Sequence, residues 1–255
     1  MQEQNEIKIN DNERVDDLQL NGLKIIQNTN GFCFGIDSVI LSEFAKNIKK
    51  NSKVVDLGTG NGILGFLLCG KTNLDSVVGV EIQKDVASMA KRSIKLNNLE
   101  NKFTIINSNI NNLFCENLLE KNKYDVVITN PPYKKIGTGI INENESKLIA
   151  RHEIKASLED FIKVASNLLK NNGEFYIVNK PERLADIIEE CRKNKIEPKE
   201  IRIVYSHKNE EATLVLVKGI KCGKKFLKIR EPLYIYEKNG EYSDEIKKIY
   251  YTRRK

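Results

Sequence analysis

The chain has 255 residues, 40% of them hydrophobic and 30% charged, with a formal net charge of +7 and a pI near 9.0. No run of 18 apolar residues occurs, which excludes a transmembrane helix. The polar, acidic opening MQEQNEIKINDNERVDD lacks the charged-then-apolar pattern of a signal peptide, so a cytoplasmic protein is expected.

In chain order, residues 1–50 read as a polar start followed by a helix over DSVILSEFAKNIKK (37–50). KVVDLG (53–58) reads as a first strand, and 61–71 has helical periodicity. A strand at 75–82 leads to an amphipathic helix at 84–98, then to a strand at 102–109 and another at 124–130. Residues 134–156 carry no clear pattern and read as a long loop, a type that is usually functional or disordered. A helix over 158–173 is expected to stop at Gly173, the residue type favoured just past a helix C-terminus. A strand follows at 174–179, then a helix at 181–194 opened by Pro181. PKEIRIVYSH (198–207) and ATLVLVKG (212–219), separated by KNEE, read as an antiparallel hairpin. Near-continuous apolar strands alternating with helices predict a doubly wound α/β fold, a mostly parallel seven-stranded sheet closed by that hairpin. The expected organisation is an extension over 1–50, a single domain over 51–219 and a basic extension over 220–255.

Five scattered cysteines with no C-x-x-C pair, and two histidines, argue against a zinc site and fit reduced thiols. The positive charge gathers in KNKIEPKEIR, GIKCGKKFLKIR and YYTRRK, a balance that favours a polyanionic partner through phosphate contacts. Lys224, Lys225, Lys228, Arg230, Arg253, Arg254 and Lys255 are the candidates for that footprint, although any one of them is more ordinarily part of a solvated face.

The stretch VVDLGTGNGILG admits two registers. Gly60, Gly62 and Gly65 match the dinucleotide fingerprint G-x-G-x-x-G, a weak signal alone. Counting from the end of the strand instead gives Asp56-x-Gly58-x-Gly60-x-Gly62. A carboxylate at Asp56 repels a pyrophosphate and attracts a ligand bearing an amino group. Just past the fourth strand lies Asn130-Pro131-Pro132-Tyr133. The two prolines stiffen the turn and remove two N–H donors, so the local surface presents acceptors, the Asn130 side-chain oxygen and the Pro131 carbonyl. Acceptors suit a substrate with an –NH2 to hold, and Tyr133 can stack on a planar group.

These stretches resemble known families. The glycine loop is similar to that of class I S-adenosylmethionine-dependent methyltransferases, whose fold is Rossmann-like, and [N/D]-P-P-[Y/F] is similar to the signature of those acting on adenine, guanine or glutamine amide. GFCFGIDSVILSEFA (31–45), NENESKLIARHEIKASLEDFIKVASNLLKNNGEFYIV (142–178), NKPERLADII and EPLYIYEKNGEYSDEIKKIYY extend the resemblance to the bacterial tRNA1(Val) adenine-N(6)-methyltransferases. It implies S-adenosylmethionine as cofactor, S-adenosylhomocysteine as product, and tRNA as partner, with the anticodon-loop adenine beside the anticodon of a valine tRNA as target. No metal and no membrane are expected from the composition, and the oligomeric state is left open between a monomer and a homodimer. The implied cofactor contacts are Asp56, Gly58, Thr59, Gly60, Gly62, Glu81, Ile82, Asn109 (where many relatives have Asp) and Asn130, with Gly35 and Asp37 from the segment before the first strand. The implied catalytic set is Asn130, Pro131, Pro132 and Tyr133. Phe32 and Phe34 are candidates for pocket walls or core aromatics, and Asp37 equally reads as a helix N-cap. Arg151-His152-Glu153 reads as loop-anchoring or RNA-contacting, outside the catalytic set. Rival readings are an rRNA guanine or adenine, DNA adenine or glutamine-amide methyltransferase, a non-catalytic S-adenosylmethionine-binding RNA adaptor and, remotely, an NAD(P) oxidoreductase.

Overall fold

A computed structural model describes residues 7–29, 34–133 and 156–251. Phe32, Arg151, His152, Glu153, Arg253, Arg254, Lys255 and nearly all of the expected long loop lie outside the described residues.

The sheet is built from β3 (Lys53–Leu57), β4 (Ser76–Glu81), β5 (Phe103–Asn107), β6 (Tyr124–Thr129), β7 (Leu169–Asn179), β8 (Ile196–Tyr205) and β9 (Ala212–Lys221). The order across it is β5-β4-β3-β6-β7-β9-β8, and two-residue strands β10 (Lys228–Ile229) and β11 (Leu233–Tyr234) add to the β8 edge. Every pairing from β5 to β7 is parallel; β9 alone runs antiparallel, inserted between β7 and β8. This is the predicted doubly wound, mostly parallel seven-stranded sheet. Its apolar strands are covered on both faces. Val54, Ile128, Tyr176 and Val178 face helices α1 (Ile36–Phe44), α2 (Ile63–Lys71) and α3 (Lys84–Leu96). Val55, Val127, Phe175 and Ile177 face α4 (Leu158–Leu168) and α5 (Leu184–Lys193). Past β9 the chain returns to the first of these cores through Leu233, Ile235 and the buried Ile246 and Ile249 of α6 (Asp244–Tyr251).

Three expectations are corrected. The N-terminal segment contains a hairpin, β1 (Glu13–Asp17) with β2 (Lys24–Asn28), ahead of a helix shorter than 37–50. Helix α4 stops at Leu168, five residues before Gly173. Its last carbonyls are claimed by groups from elsewhere: the buried Lys221 ammonium donates to Ser166 O (2.6 Å) and Leu169 O (2.8 Å), and Asn122 N and Lys123 N donate to Asn167 O and Leu168 O. A cation at a helix C-terminus satisfies orphan carbonyls and opposes the negative dipole end. The chain then turns extended at Leu169 and bulges before regaining register at Glu174. Finally, Pro181 opens a 3-10 turn (Pro181–Arg183), and α5 proper starts at Leu184.

Candidate active site

The chain leaves β3 towards β4 on one side and places β6 on the other, so the ends of these strands flank a topological switch point, where open α/β sheets bind ligands. Leu57 and Thr129, the last residues of β3 and β6, are register partners. The glycine loop and the Asn-Pro-Pro-Tyr turn therefore leave neighbouring strand ends.

The loop supports the register counted from Asp56. Gly58, Gly60 and Gly62 all have positive φ (71°, 58° and 88°), whereas Gly65 sits inside α2 for another reason: a Cβ there would lie 2.2 Å from the Phe103 ring. At Gly60 a Cβ would meet nothing within 4 Å, so its left-handed backbone fits glycine while the space above it stays open. Gly58 N and Thr59 N donate to Val80 O, and Gly60 N donates to Glu81 Oε2 at 3.0 Å. Gln83 N donates to the other oxygen, Oε1, at 2.8 Å. The buried Glu81 carboxylate is thereby fixed beside the loop at the end of β4.

Asp56 is fully buried. Thr59 Oγ1 donates to its Oδ2 at 2.5 Å, but Oδ1 is without a hydrogen-bond partner among the described residues. Burial pushes the Asp56 pKa up to about 7; the Thr59 hydrogen bond opposes the rise and the neighbouring Glu81 charge adds to it. A buried, unpartnered carboxylate oxygen is costly in isolation and invites a donor, above all a cationic one.

On the other side of β3, Asn130 and Tyr133 meet the start of α1. The Tyr133 hydroxyl lies 2.5 Å from Asp37 Oδ2 and 2.6 Å from Asn130 Oδ1. One phenolic hydrogen serves one of these acceptors at a time. Asn130 Nδ2 donates to Ser38 Oγ at 3.2 Å. Burial pushes the Tyr133 pKa up, with the Asp37 charge next, so the phenol stays protonated at neutral pH. Lys180 Nζ lies 5.6 Å from the centre of the Tyr133 ring. Pro131 is buried and Pro132 exposed. Gly35 is the extended N-cap residue of α1, and Asp37 stands one position inside the first turn. The N-cap reading of Asp37 is thus overturned: its carboxylate reaches across to Tyr133 instead. Phe34 packs against the core.

Ile82 follows Glu81, and its carbonyl accepts from Asn107 Nδ2 at 3.1 Å. Asn109 lies past β5 as the N-cap of a 3-10 turn (Ile110–Asn112), its Oδ1 accepting from Asn111 N at 3.0 Å. Asn107, not Asn109, is the register partner of Glu81.

Sequence reasoning missed four neighbours: Gln27, Ser38, Asn61 and Lys180. Gln27 Oε1 accepts from Phe34 N (3.0 Å) and from Asn61 Nδ2 (3.3 Å), which ties the N-terminal hairpin to the glycine loop. The available signal was a polar residue at the end of the apolar run KIIQN. Lys180 gave none, since a lone lysine after a strand is ordinary.

A family model described as methyltransferase small domain matches residues 35–195. Among curated proteins, the chain is 22% identical over 222 residues to a tRNA1(Val) (adenine(37)-N6)-methyltransferase of Dyadobacter fermentans, covering 85% of this chain and 89% of that protein. It is 28% identical over 225 residues to a protein of the same name from Histophilus somni, covering 84% and 87%. Among solved structures, one described as a predicted O-methyltransferase from Agrobacterium tumefaciens superposes with a TM-score of 0.69 at 21% identity, covering 85% of this chain and 96% of that one.

Proposed function

The chain belongs to the methyltransferase small domain family, and from that premise we propose that it transfers a methyl group from S-adenosylmethionine to the 6-amino group of an adenine in tRNA. The relatives' name specifies adenine 37 of a valine tRNA, and that base is the proposed target. The observation that carries the reading is the register pairing of Leu57 with Thr129. It brings a loop open above Gly60 and an acceptor-bearing turn to adjacent strand ends, about 4.8 Å apart across the sheet.

The residues present fit the cofactor. The orphaned Asp56 Oδ1 offers an acceptor for its amino group, and Glu81, held by Gly60 N and Gln83 N, retains lone pairs for ribose hydroxyls. Gly58, Thr59, Gly60 and Gly62 form the loop beneath it, and Ile82 and Asn109 continue its wall along the ends of β4 and β5. Gly35 and Asp37, at the start of α1 and tied to the neighbouring turn by the Asp37–Tyr133 hydrogen bond, are proposed as further contacts. When bound, S-adenosylmethionine supplies an electrophilic sulfonium methyl.

The adenine amine is a weak nucleophile because its lone pair is delocalised into the ring. Asn130 Oδ1 has two lone pairs; even when the Tyr133 hydroxyl, 2.6 Å away, turns its hydrogen there, one remains for an amine N–H. The Pro131 carbonyl accepts the second N–H. Two accepted hydrogen bonds draw the nitrogen towards tetrahedral geometry and free the pair for attack, so the protein's task is positioning. Transfer would form the N–C bond as the S–C bond breaks and S-adenosylhomocysteine leaves; the methylated nitrogen is then acidic and passes its proton to water without a strong base. An anticodon-loop base is unpaired, which lowers the cost of extruding it; stacking on Tyr133 is the proposed role of that ring, which also packs against the core and lies under Lys180.

Replacing Asn130 with Ala separates chemistry from cofactor binding. Transfer to a valine tRNA transcript is expected to fall by roughly a hundredfold or more, while S-adenosylhomocysteine affinity, to which Asn130 is one of many implied contacts, falls far less. A variant that transfers at the wild-type rate would remove Asn130 from the mechanism.

A further inference from the structure

Far from the glycine loop, Lys224–Arg230 carries four cations, no acid and three large apolar side chains that face solvent. Phe226 and Ile229 are each 71% exposed and Leu227 is 41% exposed. Soluble proteins rarely leave such side chains contiguous and open without a partner. Arg230 is occupied, paired with Glu200 and lying over the Phe44 ring. Lys224, Lys225 and Lys228 have no acidic partner among the described residues, unlike many of this chain's other surface cations. Lys199 donates to Lys224 O at 2.8 Å and holds its ammonium 5.7 Å from the centre of the Phe226 ring. That contact sits beside a ring that otherwise remains mostly exposed.

Register places this patch relative to the site. Ile229 pairs with Ile201, Ile201 with Val217, Val217 with Ile177, and Ile177 with Thr129, the residue before Asn130. Patch and acceptor turn therefore stand on one row of the sheet, four strand spacings or about 19 Å apart. Roughly six stacked nucleotides cover that span at ~3.4 Å each.

We infer that Lys224–Ile229 is a second RNA-docking surface, taking phosphates on Lys224, Lys225 and Lys228 and a base or sugar face on Phe226 and Ile229, while the target adenine sits at Asn130. Unpaired cations interleaved with an exposed aromatic suit a polyanion with planar faces; an apolar protein partner leaves those charges unmatched. The inference rests on the proposed tRNA substrate and names where the rest of that molecule is held.

Binding of an unmodified valine tRNA transcript, titrated across salt concentrations, tests it. The combined variant Lys224→Gln, Lys225→Gln, Lys228→Gln is expected to flatten the dependence of log K on log salt by two to three, close to ~0.9 per lost phosphate contact. Phe226→Ala with Ile229→Ala is expected to weaken binding about tenfold without changing that slope. Both variants should melt as the wild type does and bind S-adenosylhomocysteine normally, since the altered side chains are exposed. Unchanged affinity and slope in both variants overturns the assignment. So does a wild-type dimer that the apolar variant converts to monomer with RNA affinity intact, or loss of binding to vesicles of phosphatidylglycerol alone. If the wild type binds the transcript but methylates no RNA, the proposed reaction fails while the docking surface still stands on its affinities.

Discussion

Tyr133 has one hydroxyl hydrogen and two acceptors for it, Asp37 Oδ2 and Asn130 Oδ1. The phenol therefore couples the start of α1 to the amide that is proposed to grip the substrate amine. Tyr133→Phe keeps the ring for stacking and deletes only the coupling. Its kcat is expected to fall about tenfold while KM for tRNA holds, because a small misplacement of Asn130 is costly to transfer but not to docking. If Asp37 acts through Tyr133, the double variant Asp37→Asn, Tyr133→Phe loses no more than the worse single variant. Additive losses would mean that Asp37 and Tyr133 act separately. Asp56 supplies a second test at this scale. Its folded pKa of about 7 lies above the ordinary 3.8, so between these values the folded chain holds a proton that the unfolded chain has released. Ligand-free stability should then decline as pH rises through that window, relative to Asp56→Asn. A cationic ligand group favours the ionised carboxylate, so the melting shift produced by S-adenosylhomocysteine should grow from pH 6 to pH 8. A pH-independent shift would place the ligand's amino group elsewhere.

At the scale of elements, the N-terminal hairpin is held by side chains of a helix. Ser93 Oγ and Asn97 Oδ1 accept from Ile26 N and Lys24 N, and Asn97 Nδ2 donates to Lys24 O, completing an edge that has no neighbouring strand among the described residues. Arg92 donates to both oxygens of Glu13 at 2.6 Å and holds that carboxyl down to about 2. Glu13 is nearly covered, its side chain 7% exposed, so Arg92→Ala leaves a charge with only the two hydrogen bonds from Asn10. Removal is expected to cost about 2 kcal/mol, seen in urea unfolding, with faster amide exchange across residues 24–28. Unchanged stability and protection would show that the hairpin is held by its packing alone. This arrangement also explains what the sequence concealed. The polar β1, ERVDD, has no strand signature, and β2 finds its partners some 70 residues away in the chain. The end of α4 was misplaced for the same reason, because Lys221, from the end of β9, closes the helix before Gly173 is reached. The glycine loop and Asn-Pro-Pro-Tyr were legible because their constraints are local: three positive φ angles within five residues, and two consecutive residues without N–H. What joins them, Asp37 to Tyr133 and Gln27 to Asn61, is tertiary and carries no spacing to read.

For the whole molecule, the doubly wound sheet sets the geometry of the proposed reaction. The proposed cofactor and substrate residues lie at the switch point between β3 and β6, and the lysines of the proposed docking surface precede or flank Ile229 at the β8 edge, the residue whose sheet row leads to Thr129. A net charge of +7 gives this arrangement a favourable long-range field for a polyanion. Among the described residues no helix is long and apolar enough to cross a membrane. The measurement that reaches the central claim most directly is a labelled transfer. Purified protein is incubated with methyl-labelled S-adenosylmethionine and a valine tRNA transcript, the RNA is cut to fragments and nucleosides, and the label is located by mass. Label is expected in 6-methyladenosine alone, in the anticodon-loop fragment, and at roughly a hundredfold lower level or less with Asn130→Ala. Label in another nucleoside, or equal incorporation by that variant, would contradict the claim.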